Sequence, residues 1–199
     1  MLEDSGSGLD RPAGVIVETV QGEGGVNPAS AEWLRGLADL CRRQELLLIV
    51  DDIQMGCGRT GPFFSFEDAG IVPDIVCLSK SLSGYGLPLS LTLFRPELDV
   101  WEPGEHNGTF RGSNPAFVTA TAALDFWADE SLEKDTLAKG EQVQQSLARI
   151  AADHADVVTE IRGRGLAWGI AFEEPGLAPA VCSAAFERGL LMETSGPES

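Results

Sequence analysis

Apolar residues along the chain fall into short blocks set off by glycine-rich or polar stretches, and the period of the blocks changes along the sequence. Val15–Val20 is a β-branched run that predicts a buried strand, ending in the flexible stretch Gln21-Gly22-Glu23-Gly24-Gly25. Ser30 is placed to cap a helix reaching Gln44. Leu34, Leu37, Ala38 and Cys41 recur at the i, i+3, i+4, i+7 spacing of one helical face. Leu46–Val50 is a fully apolar strand running into Asp51-Asp52, followed by a loop with Gly56, Gly58 and Gly61. Asp74–Leu78 predicts a third strand entering Ser79-Lys80-Ser81, and Leu87–Phe94 a fourth. Asn114-Pro115 reads as a cap followed by proline at the first helical position, opening a helix to Trp127. Ser131 opens a longer helix to His154, with Val143, Leu147 and Ile150 on one side. Val157–Ile161 and Leu166–Phe172 predict a strand pair around Arg162-Gly163-Arg164-Gly165, with a short helix over 178–188. Residues 1–13 read as a linker or lead-in. Residues 14–130 read as part of an α/β domain with a mainly parallel sheet, and 131–199 as part of a smaller α+β domain.

Composition removes several function classes. The 199 residues carry 31 acidic against 14 basic side chains, a net charge of −17. Such a chain is repelled by nucleic acid and by anionic membranes, so neither is expected as a partner. The charge is consistent with plain solubility and with a salt-rich cytoplasm, and composition does not choose between them. No apolar run approaches the ~20 residues of a membrane span. The first residues show no basic-then-apolar leader, so a cytoplasmic location is expected. Cys41, Cys57, Cys77 and Cys182 lack metal-ligand spacing with either histidine. They read as reduced, buried small hydrophobes, with Cys57 alone in a glycine-rich loop near a candidate site. Lysine is scarce: Lys80, Lys134 and Lys139 are the only three.

In an open α/β sheet, ligands bind beyond the carboxyl ends of the strands. That rule directs attention to Glu18 and Glu23 after the first strand, Asp51, Asp52 and Gln54 after the second, Lys80 after the third, and Thr109 beyond the 104–108 loop. A nucleotide hydrolase would need a phosphate loop carrying a lysine, and none of the three lysines lies in one. Gly56-Cys57-Gly58-Arg59-Thr60-Gly61 matches Gly-x-Gly-x-x-Gly, but Pro62-Phe63-Phe64 follows where a helix should start. Gly-x-Ser-x-Gly and His-Glu-x-x-His are absent. Pyridoxal phosphate chemistry remains. It needs a lysine amine for the cofactor aldehyde and a carboxylate to keep the ring nitrogen protonated. Lys80, partly shielded at a strand end, and Asp51 supply those types. The plain alternatives, a surface lysine and a turn or cap aspartate, weigh equally on these arguments alone.

Four blocks carry a resemblance. They are Val-Glu-Thr-Val-Gln-Gly-Glu-Gly-Gly (17–25), Asp-Asp-Ile-Gln-Met-Gly-Cys-Gly-Arg-Thr-Gly (51–61), Pro-Asp-Ile-Val-Cys-Leu-Ser-Lys-Ser-Leu-Ser-Gly (73–84) and Asn-Gly-Thr-Phe-Arg-Gly-Ser-Asn-Pro (107–115). Their order and spacing resemble the class III, fold-type I pyridoxal-phosphate aminotransferases. The stretches 56–74 and 99–112 are most similar to the subgroup that forms 2,4-diaminobutyrate in ectoine biosynthesis. The resemblance implies the partial large-domain sheet of that fold plus part of its small domain. It implies that Lys80 forms the imine with pyridoxal 5'-phosphate and moves the substrate proton. Asp51 would pair with the pyridine nitrogen, and Gln54 would contact the ring's phenolic oxygen. Thr109 would reach the cofactor phosphate of a partner subunit, which makes a homodimer the expected unit. Glu23 would pair with a substrate-carboxylate arginine, and Glu18 would support the site from behind. Asp52 stands where many relatives have glutamate.

The implied reaction moves an amino group from glutamate to aspartate semialdehyde, giving 2,4-diaminobutyrate and 2-oxoglutarate. The substrates are thus small amino and oxo acids. Another ω-aminotransferase or an aminomutase, or a non-catalytic remnant of the fold, are the alternatives. Family members are longer. The resemblance therefore implies that the phosphate-holding turn, the ring-stacking aromatic and the substrate-carboxylate arginine lie outside these residues. It further implies that the four strands form a block with exposed apolar edges, leaving the chain inactive or aggregation-prone in isolation.

Overall fold

The computed structural model describes residues 4, 6, 8, 10–109, 111–174 and 176–196. Much of the expected lead-in 1–13 and the last three residues lie outside them. The first sheet contains β1 (Gly14–Val17), β4 (Leu47–Asp51), β5 (Ile75–Leu78) and β6 (Leu91–Phe94), in the order β1-β4-β5-β6. β1, β4 and β5 run parallel, with Val17 opposite Val50 and Asp51 opposite Cys77. β6 joins antiparallel to β5, so the sheet is mixed and mostly parallel. The run Val15–Val20 breaks at Glu18-Thr19. β2 (Val20–Gln21) pairs instead with β3 (Asn27–Pro28), closing the glycine-rich loop between them.

α1 (Ala31–Arg43) covers this sheet. The Ser30 hydroxyl accepts the Trp33 N–H at 3.1 Å, and Arg42 and Arg43 occupy the last turn, where cations suit the helix dipole. Its buried Leu34 and Cys41 meet Leu48 and Val50 of β4, Val76 and Leu78 of β5, and Phe66 and Ile71 of the intervening loop. This is the core expected from a fully apolar central strand. At the far edge Leu91, Leu93 and Phe94 of β6 remain exposed, in line with the expected apolar edge.

α2 (Asn114–Leu124) does not start as the sequence suggests. Ser113 holds the cap position without a side-chain hydrogen bond, so Asn114 is already helical. The helix ends at Leu124, and the segment to Trp127 tightens into a three-residue turn. α3 (Ser131–Asp153) packs against an antiparallel hairpin, β7 (Val158–Arg164) with β8 (Ala167–Phe172), and α4 (Leu177–Phe186) follows. The seat is tight: a Cβ on Gly140 of α3 would lie 2.3 Å from the Gly165 carbonyl oxygen. Gly165, at φ 58°, turns the hairpin in the left-handed region that glycine tolerates.

The hairpin tip is also fastened to the first sheet's loops. Leu166 N–H donates to Arg59 O at 2.8 Å, and Arg162 Nε–H donates to Gly25 O at 2.6 Å. A Cβ on Gly165 would sit 2.5 Å from the Thr60 carbonyl carbon.

Candidate active site

Parallel strands bring their carboxyl ends to one edge, and three candidate groups sit there. Glu18 follows β1, Asp51 ends β4, and Lys80 lies just beyond β5. Lys80 adopts φ 49°, a left-handed backbone unusual for a side-chain-bearing residue. Its turn is held from below: the Ser79 hydroxyl donates to Leu89 O at 2.6 Å, and the Ser83 hydroxyl donates to Leu87 O. α2 braces the same segment, where a Cβ on Gly86 would come within 2.6 Å of Thr119 Cβ. Lys80 itself is exposed, not partly shielded as its strand-end position suggests, because its turn opens into a cavity.

That cavity measures about 530 Å³ and joins the two parts of the chain. Glu23, Gln54, Arg59 and Lys80 line it from the sheet's loops, and Trp168 and Ile170 wall it from the hairpin. Gln54 reaches it by passing over Gly22, where a Cβ would stand 1.7 Å from Gln54 Oε1. Any larger residue at position 22 would displace the amide. Glu18 accepts the Gly22 N–H at 2.9 Å, so it orders this loop from behind. Glu23 is exposed at the wall, and its carbonyl accepts the Gly196 N–H at 2.8 Å.

Asp51 sits at the same sheet edge, half-buried, but does not line the cavity. Its Oδ1 accepts the Ile53 N–H at 3.1 Å, an Asx-type turn that directs the chain toward Gln54. Thr109 lies on an exposed loop and is not a cavity residue. Lys80, Gln54 and Glu23 therefore share one space, Asp51 stands next to it, and Thr109 is elsewhere.

Beneath the rim lies a buried polar cluster. Asp52 is 1% exposed and accepts the Ser65 N–H at 3.1 Å as well as the Ser65 hydroxyl. The Ser65 and Thr19 hydroxyls are hydrogen-bonded to each other. Burial pushes the Asp52 carboxyl above its ordinary range, against the opposing pull of the Ser65 hydrogen bonds and the Arg164 charge. Cys57 is pushed up to about 11, by burial first and the Asp52 charge second, so its thiol is protonated and inert near neutrality. Its neighbourhood to the site is structural. Cys41 is buried as expected, while Cys57, Cys77 and Cys182 are only half-buried.

The Lys80 amine and the Gln54 amide line the cavity, and the Asp51 carboxylate stands at the adjoining sheet edge; these are the residue types that the aldehyde and ring of pyridoxal phosphate call for. Comparison with known proteins points the same way. The family profile described as "Aminotransferase class-III" matches residues 7–199. The chain belongs to the class-III aminotransferases.

Within that family, the chain is 70% identical over its whole length to a diaminobutyrate--2-oxoglutarate transaminase of Streptomyces anulatus, covering 47% of that protein. It is 58% identical to the protein of that name from Halalkalibacterium halodurans, covering 98% of this chain and 46% of the relative. Among solved structures, Plasmodium falciparum ornithine delta-aminotransferase superposes with a TM-score of 0.87 at 33% identity, over 94% of this chain and 50% of that one. N-acetylornithine aminotransferase of Stenotrophomonas maltophilia superposes at 0.81 and 34% identity, over 94% of this chain and 49% of that one. The fold is therefore that of these aminotransferases, and the chain spans about half the length of the curated relatives it matches.

Reasoning from the aminotransferase motifs alone misses the wall that α3 and the β7–β8 hairpin give the cavity. Trp168, Ile170 and Val143 contribute to it, yet they read in sequence as ordinary core residues. The available signal was the clustering of glycine and arginine at 162–165, which marks a hairpin tip pressed close to another backbone.

Proposed function

We propose that this chain carries the lysine-bearing half of a pyridoxal-phosphate transaminase site. The activity of the whole protein is amino transfer from glutamate to aspartate semialdehyde, giving 2,4-diaminobutyrate and 2-oxoglutarate. The observation that carries the reading is Lys80, held with left-handed backbone at the mouth of the cavity it shares with Gln54. The similarity to diaminobutyrate--2-oxoglutarate transaminases supports the choice of substrates.

Bound pyridoxal phosphate supplies an aldehyde that carries the amine and a protonated ring that withdraws electrons from the amine-bearing carbon. Lys80 Nζ would hold that aldehyde and, when released from it, would be the base that moves the substrate proton. The Asp51 carboxylate would keep the ring nitrogen protonated, and the Gln54 amide would contact the ring oxygen. Glu23, at the wall, pairs with a cationic group when one substrate is bound and releases it for the other. Thr109, on its exposed loop, serves the phosphate in a partner subunit, so the active unit is a homodimer. The protein works in the cytoplasm. No described helix is long and apolar enough to cross a membrane.

The test is to add pyridoxal phosphate to the full-length protein, reduce with borohydride and map the modified lysine. Label on Lys80 that disappears in Lys80→Ala supports the reading. Label confined to Lys134 and Lys139, or no label, refutes it. Substrate profiling then separates diaminobutyrate from other ω-amines: turnover with ornithine and none with diaminobutyrate would overturn the substrate assignment.

A further inference from the structure

The buried cluster under the rim has a member from the other part of the chain. Arg164, at the hairpin tip, donates from Nη2 to the Ser65 carbonyl. Ser65 in turn directs its N–H and its hydroxyl at Asp52. A cation and an anion on different structural units thus bracket one serine without touching each other. Arg164 Nε is buried with no hydrogen-bond partner among the described residues. Such burial of a guanidinium is costly and needs compensation. Burial pulls the Arg164 guanidinium below its usual range, and the Asp68 and Asp52 charges oppose that pull.

Asp52 is fixed along its backbone as well. Its N–H donates to Cys77 O at 2.9 Å, and its carbonyl accepts the Gly56 N–H at 2.9 Å. A Cβ on Gly56 would meet Asp52 Oδ2 at 2.7 Å, so this turn closes directly on the carboxylate. Asp51 precedes Asp52, and Gln54 lies within the turn. Whatever sets the Asp52 side chain therefore sets both neighbours.

We infer that Arg164 is a positioning residue: acting through Ser65 and Asp52, it locks the small-domain hairpin to the strand end that carries Asp51 and Gln54. The assignment rests on the proposed cofactor roles of those two residues. The hairpin and the cofactor-facing strand end then move as one body. Displacing the small domain loosens Asp51 and Gln54 although Arg164 touches neither. A simple interdomain anchor would stabilise the fold and leave the Asp51 turn unchanged. A lock makes the turn's order depend on Arg164.

The experiment compares amide hydrogen exchange in the wild-type protein and in Arg164→Met, Arg164→Lys and Ser65→Ala, each with and without cofactor. Arg149→Met, at an exposed position on α3, serves as the control. Arg164→Met is expected to speed exchange at Ser65, Gly56 and Ile53 by about tenfold, the scale of losing one buried charged hydrogen bond. Ile53 is the decisive probe, because its N–H rests on Asp51 Oδ1. Arg164→Lys should fall between wild type and Arg164→Met, since a point charge replaces a planar fork. Ser65→Ala should reproduce the Ile53 effect, and the Arg164→Met/Ser65→Ala pair should be no worse than either alone. In the loaded protein, the visible absorption band of the cofactor should change in Arg164→Met and not in Arg149→Met.

Unchanged Ile53 exchange in a folded Arg164→Met protein overturns the inference, even if its melting temperature falls. If Arg164→Met does not fold, unchanged Ile53 exchange in both Arg164→Lys and Ser65→Ala overturns it. The exchange readings need no cofactor. A wild-type protein that never labels at Lys80 would end the transaminase reading, and the amides would still decide whether Arg164 is a lock.

Discussion

Asp52 is the one charged residue among the described residues that is buried as a whole, and its cost depends on pH. Its folded-state carboxyl titrates above the ordinary value of 3.8, with burial as the main cause. A group raised in this way contributes most to stability below the unfolded value, and that contribution is lost as pH rises through the folded value. The ionised form at neutrality therefore carries a penalty that acidification relieves. Replacing Asp52 with asparagine removes the titration. The melting temperature of the wild type minus that of Asp52→Asn should become more favourable to the wild type as pH falls from 7 toward 4. A difference that stays flat or moves the other way refutes the burial argument. Lys80 presents the opposite case. Lys134 pairs with Glu130 at 2.8 Å and Lys139 with Asp135 at 3.6 Å, both on the exposed face of α3. Lys80 makes no ion pair among the described residues and opens into a cavity instead. Among the three lysines it is the one with no ion pair among the described residues. At this scale the sequence was informative wherever a residue follows a parallel strand, because strand direction alone aims Glu18, Asp51 and Lys80 at one edge. It was silent on exposure. Lys80 reads as partly shielded, yet whether a strand-end side chain enters a cavity depends on packing far away in the chain.

Elements whose period is set locally were legible. α1 needs only its capping serine and apolar stripe, and α3 and the β7–β8 pair follow equally local patterns. Elements set by neighbours were less so. β6 shrinks to Leu91–Phe94 because only those residues find a ladder on β5, and the preceding residues are taken up in holding the Lys80 turn. The single run Val15–Val20 splits because Val20 and Gln21 pair with 27–28 rather than continuing beside β4. The α3–hairpin contact gives an element-scale test. On propensity alone, Gly140→Ala in mid-helix should gain about 1 kcal/mol. Here the added methyl meets the Gly165 carbonyl oxygen at 2.3 Å, and backbone cannot swing aside as a flexible side chain would. The substitution should instead cost about 1–3 kcal/mol, the usual range for overpacking. Chemical denaturation of Gly140→Ala beside a Gly36→Ala control decides the point, because a Cβ at Gly36 of α1 meets nothing within 4 Å. Gly36→Ala should stabilise, and an equal gain at both positions would show that the tight seat is not real.

For the molecule as a whole, Thr109 is the informative residue. It stands in the block that resembles the aminotransferases, yet its loop is exposed and lies outside the cavity that holds Lys80. A residue in a family motif that lies away from the cavity of its own chain would have an explanation if the site were shared between two copies. In a two-fold dimer each cavity would take Lys80 from one subunit and Thr109 from the other. Sharing can be tested in the whole protein without a structure of the complex. Lys80→Ala alone removes the amine from both sites, and Thr109→Ala alone removes the phosphate contact from both. Mixed within one dimer, the two lesions fall on the same site and leave the other intact. Unfolding and refolding the two variants together at equal amounts should recover roughly a quarter of wild-type turnover, since half the dimers are mixed and each has one whole site. Light scattering on the mixture confirms that dimers have formed. Recovery from mixing, where neither variant alone is active, requires the two residues to act across an interface. Failure to recover any activity from such dimers would place Thr109 and Lys80 in the same subunit's site, and the exposed loop would then have to close over its own cavity.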